Sequence, residues 1–144
     1  MMKLHGGSQN VTEADPAQAA DTLRAIAYGL RASQALLVAA QLNVADHLAQ
    51  GPLTGPELAH AAGSNAAALE RVMQALCALG VFAESRSGHF SLNAAGQLLR
   101  SEVPGSFRSG VLLLAGGVRW RCWSDLLETV RTGVSASARL LGMP

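Results

Sequence analysis

Across residues 53–90 the apolar positions recur first at helical spacing and then in two short runs. That change of rhythm predicts helix, tight turn, helix and hairpin, the winged-helix order. Thr54 stands three residues before Glu57, the spacing at which two side chains each satisfy a free backbone N–H at a helix start, and Pro56 falls in the first turn. Gly63 suits the left-handed position that ends this helix, and Ser64 or Asn65 can cap the next. Leu69, Val72, Met73, Leu76 and Leu79 then form one stripe that stops at Gly80. Residues 81–84 and 89–92, either side of a polar Arg86-Ser87-Gly88 turn, predict the two strands.

Upstream, Asp15 or Asp21 can start an amphipathic helix with Leu23, Ile26, Ala27 and Leu30 on one side and Arg24 and Arg31 on the other. From Ser33 the run SQALLVAAQLNVA is apolar nearly all round, which requires cover on several sides, as at a subunit interface. Leu30, Leu36, Leu37 and Ala40 are therefore candidate interface positions. Asn43 and Gly51-Pro52 bracket a short helix over 44–50. Downstream, Asn93 can cap a short helix through Leu99, and Pro104-Gly105 breaks the chain. Residues 106–114 carry Phe107, Val111 and Leu114 at helical spacing and lead into Gly116-Gly117. Residues 120–131 predict one amphipathic helix closed by Gly133, with Trp123, Leu126, Leu127 and Val130 on a stripe and Asp125, Glu128 and Arg131 opposite. Leu126, Leu127 and Val130 join the candidate interface. Residues 134–144 are apolar and Ser-rich and end without a capping signal, so the chain reads as cut rather than finished.

Composition sharpens the expectation of a partner. Of 144 residues, 49% are hydrophobic and only 15% charged, against roughly 25% charged in an average soluble domain. So few charges cover an independent monomer poorly, which predicts a large apolar surface buried against something else. The organisation read from the chain is a disordered tail over 1–14, dimerisation helices and winged helix over 15–104, and C-terminal helices over 105–144. No secretory signal and no apolar run near the ~18 residues of a membrane span is present, so the expected compartment is cytoplasmic, with no membrane partner. Cys77 and Cys122 belong to no ligand spacing and are expected as reduced core residues, with no metal site.

A winged helix raises the possibility of DNA binding, but the second helix offers only Glu70 and Arg71 as ionic residues, and the wing only Arg86 and His89. With a net charge of +1, the electrostatic term that dominates nucleic-acid affinity is missing, and no nucleic-acid partner is expected. His5, His47, His60 and His89 stand without paired carboxylates at triad or ligand spacing, so no catalytic residue is assigned. Gly116-Gly117 lies between helical segments and reads as a hinge rather than a nucleotide cradle. Trp120 and Trp123 share a helix face and either pack in the core or dimer interface or line a pocket for an aromatic ligand, which Phe107, Tyr28 and Met143 can join.

Four blocks in order carry a resemblance: LRASQALLVAAQLNVADHLAQGPLTGPELAHAAG, LERVMQALCALGVF, FSLNAAGQLLRSEVPGSFRSG and WSDLLETVRTGVSA. Together, over about residues 20–144, they resemble the N-terminal region of the S-adenosylmethionine-dependent small-molecule O-methyltransferases, which include plant caffeate-type and bacterial secondary-metabolite enzymes. The resemblance implies a mainly α fold with a small β-hairpin, a winged helix flanked by N- and C-terminal helices that interlock in a homodimer and roof a substrate pocket. It implies that methyl transfer belongs to a following Rossmann-like domain. This sequence stops before that domain, so the resemblance assigns no catalytic or cofactor-binding residue here and S-adenosylmethionine only to a full-length parent.

Departures are local. The family often has an aromatic residue near Ser137 and a phenylalanine near Leu141, and its usual threonine after the second hairpin strand is Asn93 here, which keeps the capping role. Some relatives have moved from methylation to other reactions on the same scaffold. The expected function is homodimerisation and substrate capping for an O-methyltransferase acting on an aromatic or polyketide-type metabolite. The alternative is a stand-alone, non-catalytic regulatory partner of such an enzyme, with a DNA-binding regulator behind both.

Overall fold

The computed structural model describes residues 15–142; the expected tail over 1–14 and Met143 lie outside them. Nine helices and three strands are described: α1 Pro16–Gln41, α2 Val44–Leu48, β1 Leu53–Thr54, α3 Gly55–Ala61, α4 Ala66–Ala78, β2 Phe82–Glu84, β3 His89–Leu92, α5 Ala94–Gln97, α6 Arg108–Ala115, α7 Gly117–Ser124, α8 Leu126–Thr132 and α9 Ala136–Leu141. The described residues fall into two units that divide at Leu30 and Arg31, inside α1. In the first unit Asp15 rather than Asp21 begins the helix: its Oδ1 accepts from the Ala17 N–H at 3.1 Å. Leu23 and Ile26 are exposed there, at 69% and 73%.

The second unit is built around the predicted capping signals. Thr54 and Glu57 exchange both bonds of the capping box, with the Thr54 N–H donating to the Glu57 carboxylate at 2.8 Å. Those bonds to the Thr54 hydroxyl and N–H hold the Glu57 carboxyl below the usual carboxylate range. Asn65, not Ser64, caps α4 by accepting from the Ala68 N–H at 3.0 Å. Leu69, Met73 and Leu76 of the α4 stripe are buried, Val72 is half-buried, and Leu79, at the C-cap, is exposed. Asn93 caps α5 through Gly96 and also donates to the Gly80 carbonyl, tying the start of α5 to the turn after α4.

The hairpin forms where the sequence places it, and a third strand joins it. β1 pairs antiparallel with β3, Leu53 opposite Phe90, giving the order β1-β3-β2. Two residues are too few to show an alternating pattern, so β1 is invisible to periodicity. The core gathers Val44, Leu48, Leu58, Leu69, Met73, Leu76, Phe82 and Phe90 with Ala39 and Ala40 of α1. Here the interface expectation needs correction: Ala40 and Leu37 are buried inside the chain itself, at 1% and 8% exposure. The all-round apolar run of α1 finds much of its cover in its own domain. Cys77 is half-buried against this core, and burial, with Glu84 nearby, pushes its thiol upward.

Candidate dimerisation surface

The C-terminal helices are held to the core by a few polar ties and by Val111 and Leu112 of α6. Val111 of α6 is buried, and Arg108 reaches back to α1, its Nε donating to the Ala40 carbonyl at 3.0 Å and its Nη2 to Asn43 Oδ1. Gln34 donates to the Ala115 carbonyl at 3.1 Å, satisfying an end of α6 that would otherwise be open. The chain then turns at the predicted glycine pair. A Cβ on Gly116 would lie 2.6 Å from the Leu112 carbonyl oxygen, and Gly117 has φ +53°. Both glycines are explained by close helix packing and a left-handed turn. The described strands are antiparallel, and none runs through a glycine-rich turn into a helix as a dinucleotide-type cofactor site requires.

The single helix expected over 120–131 is two. Asp125, at φ −98° and ψ 13°, leaves the helical region and separates α7 from α8. Its N–H turns to the Cys122 carbonyl, and Arg139 of α9 takes both its carbonyl and its carboxylate, so the side chain competes with the helix for the backbone. The predicted stripe lies on both sides of the break and is exposed within the single chain. Neither α7 nor α8 contains a buried residue, and Trp123, Leu127 and Val130 are 64%, 62% and 74% exposed, with Leu126 at 46%. Leu113, Leu114 and Val118, which sequence reasoning did not single out as interface, are also exposed; the pair Leu113-Leu114 beside Val111 was the available signal.

The two tryptophans part company. Trp120 is half-buried and lines an apolar cleft of about 250 Å³ with Ser33, Leu36, Phe107, Val111 and Leu114. Trp123 is not among its walls, although three-residue spacing suggested a common face. A second apolar cleft of about 210 Å³ shares Leu36 and Phe107 and adds Val81, Ala95, Leu98 and Leu99. Tyr28 belongs to the first unit and is exposed there. A polar cleft of about 470 Å³ lies apart, around Asn43, Asp46, His47 and Arg100, and its order comes from Asp46 Oδ1 accepting from the Ser101 N–H and hydroxyl.

Elsewhere, the His89 ring Nδ1 lies 3.1 Å from Ser87 Oγ in the hairpin turn, and His60 is exposed. Among the described residues no three His, Cys, Asp or Glu side chains gather as metal ligands, and no helix is long and apolar enough to cross a membrane.

Comparison with known proteins shows the family. The family described as the O-methyltransferase dimerisation domain matches residues 25–102. The O-methyltransferase SfmM3 of Streptomyces lavendulae is 40% identical over 121 residues, covering 84% of this chain and 36% of its own. The phenazine O-methyltransferase PhzM of Lysobacter antibioticus is 37% identical over 114 residues, covering 79% and 33%. The crystal structure of human N-acetylserotonin methyltransferase in complex with SAM superposes with a TM-score of 0.80 at 28% identity, over 92% of this chain and 39% of that one. The chain spans about a third of the length of the curated relatives it matches. It has the mainly helical fold with a small antiparallel sheet that their N-terminal regions share, and it belongs to the O-methyltransferase dimerisation-domain family.

Proposed function

We propose that this chain pairs with a second copy of itself and roofs the substrate pocket of a S-adenosylmethionine-dependent O-methyltransferase acting on an aromatic or polyketide-type secondary metabolite. Methyl transfer itself belongs to the part of the parent protein that follows. The observation that carries the reading is the exposed stripe of Trp123, Leu126, Leu127 and Val130 on helices with no buried residue, in a chain of the dimerisation family. An apolar surface of that kind is unfavourable in water and is stabilised by burial at about 25 cal/mol per Å². Leu30, exposed in the first unit, and the half-buried Leu36 of the second are proposed as separate interface positions, whereas Leu37 and Ala40 belong to the core. The cleft lined by Phe107 and Trp120 is the proposed capping wall, since two aromatic rings over an apolar floor suit a flat conjugated substrate. The winged-helix body serves as scaffold for both surfaces.

The test is sedimentation equilibrium on the chain as it stands. A dimer at micromolar concentration is expected, and a monomer at about 100 µM would overturn the reading. Calorimetry with S-adenosylmethionine should give no binding isotherm; a clear one would place cofactor chemistry in this chain and overturn the division of labour.

A further inference from the structure

We infer that Arg139 is the positioning residue of the dimerisation surface, gripping the back of α8 and fixing the direction in which the apolar stripe points. This deepens the proposed function and rests on it. With no buried residue of its own, α8 gains little from apolar packing. Its ties are polar, and many converge on one side chain. Nη2 of Arg139 donates to the Asp125 carbonyl at 3.3 Å, to the Asp125 carboxylate and to Thr129 Oγ1 at 3.3 Å. Nη1 donates to Thr132 Oγ1 at 3.3 Å and to the Val134 carbonyl. These partners run from the residue before α8 to two residues past its end.

The gripped side and the exposed stripe are back to back. At about 100° per residue, Thr129 and Thr132 fall about 60° apart on the circumference of α8, and Leu126, Leu127 and Val130 centre roughly 140° away. The Arg139 side chain is only 24% exposed, so its pairing with Asp125 is less screened than an ordinary surface ion pair. The planar guanidinium supplies donors in a fixed fork, which a lysine ammonium does not reproduce. Arg139 therefore sets the orientation of a surface it does not belong to.

The test compares the dimer dissociation constant and the amide hydrogen exchange of residues 126–132 in the wild-type chain, Arg139→Met, Arg139→Lys and Asp125→Ala. Arg139→Met is expected to weaken the dimer about tenfold and to speed exchange across α8, including in a Leu127→Glu background kept monomeric. Lysine should not restore either property. Asp125→Ala, which removes one acceptor and keeps the arginine, should move both in the same direction by less, and it stands in if Arg139→Met fails to fold. A wild-type dimer with Arg139→Met equally tight, or with full rescue by lysine, overturns the role of Arg139 alone. A wild-type monomer overturns the dimer reading beneath it.

Discussion

Helices α4 and α8 make the same promise in sequence and keep it differently. Both show an apolar stripe at three-and-four spacing, yet Leu69, Met73 and Leu76 of α4 are at 3% exposure or less while Leu127 and Val130 of α8 are above 60%. Amphipathicity states that a face needs cover and says nothing about which chain supplies it. α4 lies among α3, β2 and the core of its own domain. The stripe of α8 stays exposed, and α8 packs mainly on the equally unburied α7 and on α9. On the proposed reading, the region with its stripe exposed is the one that associates.

That contrast can be broken most forcefully from the buried side. Phe90→Ala, at a fully buried ring, should cost about 3–5 kcal/mol of unfolding free energy and lower the denaturation midpoint sharply; a loss under 1 kcal/mol would mean the α4 core is not what holds the domain. Leu127→Glu should do the reverse. At 62% exposure it should change monomer stability by about 0.5 kcal/mol or less and weaken the dimer on the order of a hundredfold. Light scattering that still reports a tight dimer would assign association elsewhere.

Gly116→Ala lies on the boundary between the regions. Its Cβ would meet the Leu112 carbonyl, so a cost of about 1–3 kcal/mol is expected by chemical denaturation. Wild-type stability would show that the α6–α7 turn yields freely. Asn65→Ala removes the α4 cap and should cost about 1 kcal/mol, measurable as a small midpoint shift with the dimer constant unchanged. The smallest effect is electrostatic. Because the folded Glu57 carboxyl is held low by Thr54, its contribution is present above the ordinary carboxylate range and disappears as pH falls through its lowered value. The melting difference between wild type and Glu57→Gln should therefore shrink on acidification, and a constant difference from pH 7 to pH 2 would discount the capping-box charge.

Most of the fold was legible because its signals are local. Thr54 with Glu57, Asn65, Asn93 and Gly133 each act within a few residues, so each reads directly as a start or a stop. The candidate site was legible only in part. Phe107 and Trp120 do share a cleft, but Trp123 was grouped with them on helical spacing alone, and the cleft is walled from α1, α6 and α7 together. The break at Asp125 depends on Arg139, fourteen residues on, a distance no periodicity reports.

By itself the sequence determined the helix caps, the hairpin, the family and the excess of apolar over charged residues, all of which follow from near-neighbour chemistry and composition. Tertiary structure alone decided that Leu37 and Ala40 are core, that β1 joins the sheet, and that the stripe of α8 faces outward with Arg139 behind it. The physical reason is that burial and long-range hydrogen bonds are properties of pairs of elements brought together, and a stripe on one helix carries no record of what the rest of the chain has left to cover it.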